Sequence, residues 1–135
     1  MFMDSLKNSH NKVIVCIPTY NAADCLLNTI KSISRQTFKQ LDVLIVDNQS
    51  NDNTIEIIQQ FKHDFGKENR IYVFSNKENI GRIGNWNKCL EIFKQTSHPY
   101  LKFVFAGDTL ENNCLETLVN VFQNNSSLGL VSSGY

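Results

Sequence analysis

The sequence is short of the residues that mark linkers, repeats and disulfide scaffolds. Two prolines and six glycines in 135 residues are too few for a low-complexity or collagen-like chain. The four cysteines, Cys16, Cys25, Cys89 and Cys114, include no C-x-x-C pair, so the ligand spacing of a structural zinc site is missing. They read as reduced, mostly buried thiols, the usage of a cytosolic protein. Neither sign of charge is in excess, with 13 Lys and Arg against 13 Asp and Glu. That balance argues against a nucleic-acid partner held mainly by charge and leaves a small polyanion in a local pocket open. No apolar run approaches the ~20 residues of a membrane span. The polar stretch Met1 to Asn11 lacks the apolar core of a secretory signal.

What is present suits one ordinary domain. Residues 1–11 read as a flexible N-terminal tail, and residues 12–135 as one folded unit. Short apolar, β-branched runs recur: Val13 to Ile17 (stopped by Pro18), Leu41 to Val46, Ile71 to Phe74, Tyr100 to Ala106, and a fifth at Leu128 to Val131. Such runs suit strands buried on both faces. Between them lie helical periodicities: Leu26, Ile30 and Ile33; Ile55, Ile58 and Phe61; Ile83, Trp86, Leu90 and Phe93; Leu115, Leu118, Val119 and Phe122. Asn53 with Glu56, and Asn113 with Glu116, have the spacing of capping boxes. Alternating strands and helices imply an α/β fold, a Rossmann-like, mostly parallel sheet flanked by helices. Ligands of such sheets bind outside the carboxyl ends of the strands, so those ends are where chemistry is sought.

The first end reads Pro18-Thr19-Tyr20-Asn21. Thr19 and Asn21 can bond within a turn and Tyr20 offers a ring for stacking, although a plain strand-to-helix loop capped by Asn21 needs the same residues. The second runs from Asp47 and Asn48 to Thr54. Turn and capping chemistry accounts for its tail. Asp47, directly after four apolar residues, sits where a carboxylate could accept from a base or a ribose hydroxyl. In the third, Asn79 to Asn87, Gly81 and Gly84 allow close backbone approach and Arg82 could pair with a phosphate. Its spacing is neither G-x-G-x-x-G nor a P-loop, and Trp86 reads as a core residue. The fourth, Phe105 to Leu110, carries one carboxylate, Asp108. Mg²⁺ or Mn²⁺ is often held by one or two carboxylates plus substrate phosphates, and a turn aspartate after Gly107 is the plainer alternative.

Together these pieces resemble the inverting family-2 glycosyltransferases. The resemblance rests on Val13 to Asn21, Ser34 to Phe38, Val46 to Thr54, and Asn79 to Asn87, in that order. It implies the nucleotide-diphospho-sugar transferase (A-type glycosyltransferase) fold, with residues 12–135 as its nucleotide-sugar-binding part. It implies that Pro18, Thr19 and Tyr20 lie along the nucleoside and that Asp47 and Asn48 contact base or ribose. Arg82 and Asn87 fall in the stretch bordering the diphosphate and sugar. Asp108 would reach a divalent cation, Mg²⁺ or Mn²⁺, that bridges the diphosphate.

Two departures stand out. Asn48 takes the place of the commoner second aspartate, and Gly107 that of the first acid of the usual metal pair. The family carries its acceptor site and catalytic base in a later segment, and no acidic residue follows Glu116. The expectation is therefore a truncated donor-binding piece without a catalytic base, from an enzyme that transfers sugar to a saccharide or lipid-linked acceptor hydroxyl. The implied location is cytoplasmic, with peripheral contact to the inner face of the membrane through other segments. The competing expectation is a non-catalytic sugar-nucleotide-binding or interaction module.

Overall fold

The computed structural model describes residues 13–64 and 70–132, so the tail expected over residues 1–11 lies outside them. The elements are β1 (Val13–Thr19), α1 (Leu26–Ser34), β2 (Leu41–Asp47), α2 (Thr54–Asp64), β3 (Arg70–Ser75), α3 (Gly81–Phe93), β4 (Tyr100–Phe103) and α4 (Cys114–Asn124). The four strands form one sheet in the order β3-β2-β1-β4, and every pairing is parallel.

The unbroken apolar runs of β1 and β2 follow from their central place, where all seven residues of each are buried. Successive side chains point to opposite faces. Val13, Val15, Ile17, Val43 and Ile45 pack with Leu26, Ile30 and Ile33 of α1, Ile58 of α2, and Leu115 and Val119 of α4. Ile14, Cys16, Leu44 and Val46 pack on the other face against Cys89 and Ile92 of α3. Helices therefore cover both faces, as the alternation of elements predicts.

Four local expectations are corrected. Pro18 does not stop β1 but pairs with Val46 inside it. The Cys16 carbonyl accepts from Val104 N on the β4 side, and the Thr19 carbonyl accepts from Asn48 N on the β2 side. Alternation turns Pro18 toward β4, whose ladder ends at Cys16 and Phe103, so the missing N–H costs no ladder bond. The fourth strand ends at Phe103 rather than Ala106, because Asp108 N closes a turn onto Phe105 O at 2.9 Å. Leu128 to Val131 is not a strand. Leu128 N instead closes a turn onto Asn125 O at 3.1 Å, and Leu130 is 85 % exposed. Helix α3 turns inward Asn85, Cys89 and Ile92 rather than the Ile83–Trp86–Leu90 stripe, and Ile83 is 58 % exposed.

The capping also differs from the spacing. Asn113 makes no side-chain cap bond, and Glu116 instead accepts from Thr37 Oγ1 at 2.7 Å. At α2 the residue that accepts from Thr54 N, at 3.0 Å, is Asp52. All four cysteines are free, Cys16 and Cys89 buried and the other two partly so. Burial and the Cys89 thiol beside it, the latter the larger influence, push the Cys16 thiol well above its usual range.

Candidate functional site

The chain steps from β1 to β2 to β3 in one direction and then crosses back to place β4 on the far side of β1. The strand order thus reverses between β1 and β4, the position outside whose carboxyl ends open α/β sheets bind ligands. Four loops converge there, and polar side chains tie them to one another.

At the end of β1, Pro18 is buried and Thr19 is 1 % exposed. The Thr19 hydroxyl donates to Ile17 O at 3.1 Å, so it serves the strand end. Tyr20, next in the chain, is 48 % exposed, which leaves its ring available to stack. Asn21 adopts φ 46°, a left-handed conformation that asparagine tolerates. Its N donates to Ser50 Oγ at 2.8 Å and its Oδ1 accepts from Asn51 N at 2.9 Å. Ala22 N donates to Thr54 Oγ1 at 2.8 Å, and Ala23 N to Asp52 Oδ2 at 3.1 Å. These bonds fasten the β1–α1 loop to the β2–α2 loop. Hydrogen bonds from Thr54 Oγ1 foremost, and from the Ala23 and Thr54 amides, hold the Asp52 carboxyl below its ordinary range.

Asp47 and Asn48, at the end of β2, are 1 % and 2 % exposed. The Asp47 carboxylate accepts from Ser50 N at 3.0 Å and from the Ser50 hydroxyl, which fixes it at the strand end. Asn48 uses its whole amide. Its Nδ2 donates to Asn79 Oδ1 at 2.8 Å and to Gly81 O at 3.3 Å. Its Oδ1 accepts from Asn76 Nδ2 and from Ile80 N, both at 3.0 Å. Asn76 also donates to Asn85 Oδ1 at 2.8 Å. Asn85 in turn donates to Val46 O at 2.9 Å and to Thr19 O at 3.4 Å. Asparagine suits this chain because one side chain both donates and accepts. The network joins the ends of β1, β2 and β3 to the first turns of α3. Asn76 is a site residue that the sequence reading does not single out, and Asn85 stands there only inside the stretch Asn79 to Asn87. An asparagine on the inward face of an otherwise amphipathic helix is the signal that could have found it.

Along α3, Arg82 and Asn87 are exposed. The Arg82 guanidinium lies over the Trp86 ring at 5.5 Å. Trp86, read from sequence as core, is only partly buried and packs on Phe105 with centroids 5.0 Å apart. That contact brings the α3 face to the loop after β4. Asp108 is exposed on that loop, while its backbone is held. Gly107, at φ 102°, donates its N to Thr29 Oγ1 at 2.9 Å, and Leu110 N donates to Ser32 Oγ at 3.1 Å. A groove of about 350 Å³ runs beside the loop rather than over Asp47, lined by Lys31 and Ser32 of α1, by Arg35 just after it, and by Thr109 and Leu110.

Among the described residues no group of three or more His, Cys, Asp or Glu is placed to hold a metal ion. Asp108 offers a single exposed carboxylate. That donor set fits a hard divalent cation only when diphosphate oxygens and water supply the remaining positions.

Residues 14–134 match the profile of Glycosyl transferase family 2. The chain belongs to this family. A curated relative, the GalNAc(5)-diNAcBac-PP-undecaprenol beta-1,3-glucosyltransferase of Campylobacter jejuni, is 34 % identical over 109 residues, covering 80 % of this chain and 33 % of its own length. S. aureus TarS, in its crystal structure with UDP, superposes with TM-score 0.74 at 21 % identity, covering 92 % of this chain and 38 % of that one. At that identity the likeness concerns the fold, which is the A-type glycosyltransferase fold. The mannosyltransferase PcManGT of Pyrobaculum calidifontis, solved with GDP-Man and Mn²⁺, gives TM-score 0.53 at 25 % identity over 58 % of this chain and 23 % of that one. The family-2 chain described here spans about a third of the length of the curated relatives it matches.

Proposed function

We propose that this family-2 chain is the donor-binding part of a glycosyltransferase that moves a sugar from a nucleotide-diphosphate sugar to an acceptor hydroxyl. The observation that carries the reading is the set of strand-end loops locked together around buried Asp47, beside the reversal of strand order, with Asp108 at the rim. Relatives support the ligand class: TarS has been solved with UDP-GlcNAc and the Pyrobaculum enzyme with GDP-Man. The acceptor named for the Campylobacter relative is linked to PP-undecaprenol. It supports a saccharide or lipid-linked acceptor. No described helix is long and apolar enough to cross a membrane.

In this proposal Tyr20 stacks along the nucleoside, while buried Pro18 and Thr19 fix the strand end that carries it. Asp47 accepts from the nucleoside. Asn48, its amide committed to Asn76, Asn79, Ile80 and Gly81, holds the rim of the site and leaves its shape, rather than its side chain, to the ligand. Arg82 and Asn87 border the diphosphate and sugar, and Arg82 supplies the positive charge that a diphosphate attracts. Asp108 is the chain's own ligand to Mg²⁺ or Mn²⁺. When bound, that ion stabilises charge on the departing diphosphate.

Calorimetry with UDP and GDP, with and without Mn²⁺, tests this. The expected outcome is binding that tightens with Mn²⁺, a loss of the Mn²⁺ effect in Asp108→Ala, and a loss of nucleotide binding in Asp47→Ala. A folded wild-type chain that binds neither nucleotide rules the reading out. Gly107 in place of a second acid favours one other reading, a binding module without catalysis. It predicts nucleotide binding that is indifferent to Mn²⁺ in the wild type.

A further inference from the structure

The buried face of α1 is not wholly apolar. Among Leu26, Ile30 and Ile33 stand Thr29 and Ser32, and Gln36 follows the helix, 0 % exposed. Each polar group reaches the same segment across the fold. Thr29 Oγ1 accepts from Gly107 N at 2.9 Å, and Ser32 Oγ accepts from Leu110 N at 3.1 Å. Gln36 Nε2 donates to Glu111 O at 2.7 Å, and its Oε1 accepts from Leu115 N at 3.0 Å. Thr37 N adds a bond to Asn112 O at 2.7 Å. From Gly107 to Leu115 the loop is pinned at five backbone atoms by one row of side chains and one amide. Asp108 lies inside the first two pins.

We infer that Thr29 and Ser32 are positioning residues for Asp108. Their hydroxyls replace the ladder that β4 gives up at Phe103 and hold the Asp108 backbone at one height above the sheet. The physical need is specific. Gly107 sits at φ 102°, so its peptide is turned out of the strand direction, and its N–H finds its acceptor outside the loop. Thr29 supplies it from a helix that is itself fixed in the core. A lone carboxylate serving a cation has no second acid to correct its position, so a drift in its backbone is felt directly. The inference rests on the proposed role of Asp108, and the experiment reads the two separately.

The test is made on the full chain with Thr29→Val, which keeps the branched shape and removes the acceptor, and with Thr29→Ser, which restores it. Amide hydrogen exchange at Gly107 and Leu110 is followed by NMR, and UDP and GDP binding is measured with and without Mn²⁺. Thr29→Val is expected to speed exchange at Gly107 by about tenfold, with core amides of β1 and β2 unchanged. It should cut the Mn²⁺-dependent gain in affinity several-fold while metal-free affinity stays within about twofold. Thr29→Ser is expected to return both readings to the wild-type values. Unchanged protection at Gly107, acceleration spread evenly over the core, or no recovery in Thr29→Ser overturns the inference. A wild-type chain with no Mn²⁺-dependent gain sinks the metal role of Asp108, and the exchange pattern alone then decides the positioning role.

Discussion

Gly107 carries two constraints at once. At φ 102° it occupies backbone space that side chains avoid, yet a Cβ there would meet nothing closer than Cys25 Sγ at 3.8 Å. The cost of Gly107→Ala is therefore backbone strain rather than a clash. It should lower the unfolding free energy by about 1–2 kcal/mol, read from urea denaturation. Asp52 is the second residue-scale case. Its folded pKa lies below its ordinary value because Thr54 Oγ1 and the Ala23 and Thr54 amides donate to it. The unfolded carboxyl titrates near ~3.9. The contribution is thus fully present above that pH and is lost as pH falls through the lower folded value. Asp52→Asn should lower stability at neutral pH and flatten the acid limb of the stability profile below about pH 4, measured as urea midpoints across that range. The Thr54 bonds to Asp52 are local turn chemistry, but neither the φ of Gly107 nor the bond from Ala23 N to Asp52 could be read in sequence, since the latter depends on which loop lies alongside.

Helix α3 separates propensity from placement. Its apolar spacing was legible, and the stripe it defines exists, but that stripe flanks the sheet instead of facing it. The inward face holds Asn85 because the carbonyl of Val46 and the amide of Asn76 end there and need partners. Asn85→Leu takes one hydrogen bond from each, while Asn76 Nδ2 keeps Asn48 Oδ1, and should cost about 1–3 kcal/mol, whereas Ile83→Ser on the exposed side should stay within about 0.5 kcal/mol. Thermal or urea unfolding of the two variants side by side checks the assignment of faces. Equal losses would mean that the stripe is core after all. In α1 the apolar stripe is the buried one: Leu26, Ile30 and Ile33 are all 0 % exposed, as their spacing predicts, and Thr29 and Ser32 beside them serve the loop of Asp108.

At the scale of the molecule, the two ends of the sheet do different work. The carboxyl ends carry the candidate site. At the other end, His98 Nε2 and Asp42 Oδ2 are 3.0 Å apart with both side chains at 0 % exposure, and His98 Nδ1 is buried without a partner. Removing His98 strips a buried carboxylate of one of its contacts, so His98→Ala should cost about 3 kcal/mol. It should leave nucleotide affinity unchanged, because the sheet separates the two ends. Unfolding together with calorimetry on one variant checks both halves of that expectation.

The sequence by itself determined the alternation of elements, the four strands from β1 to β4, and the strand-end segments that carry Asp47, Asn48, Arg82 and Asp108. It could do so because apolar runs, periodicity and loop composition are local properties that survive without partners. Only the tertiary structure decided the strand order, the passage of β1 through Pro18, the inward face of α3, and the commitment of the Asn48 amide to its neighbours. It also decided that Thr29, Ser32 and Gln36 reach the loop of Asp108, 75 to 79 residues away along the chain. Each of these is a matter of which buried polar group has a partner, and that is known only once distant segments lie side by side.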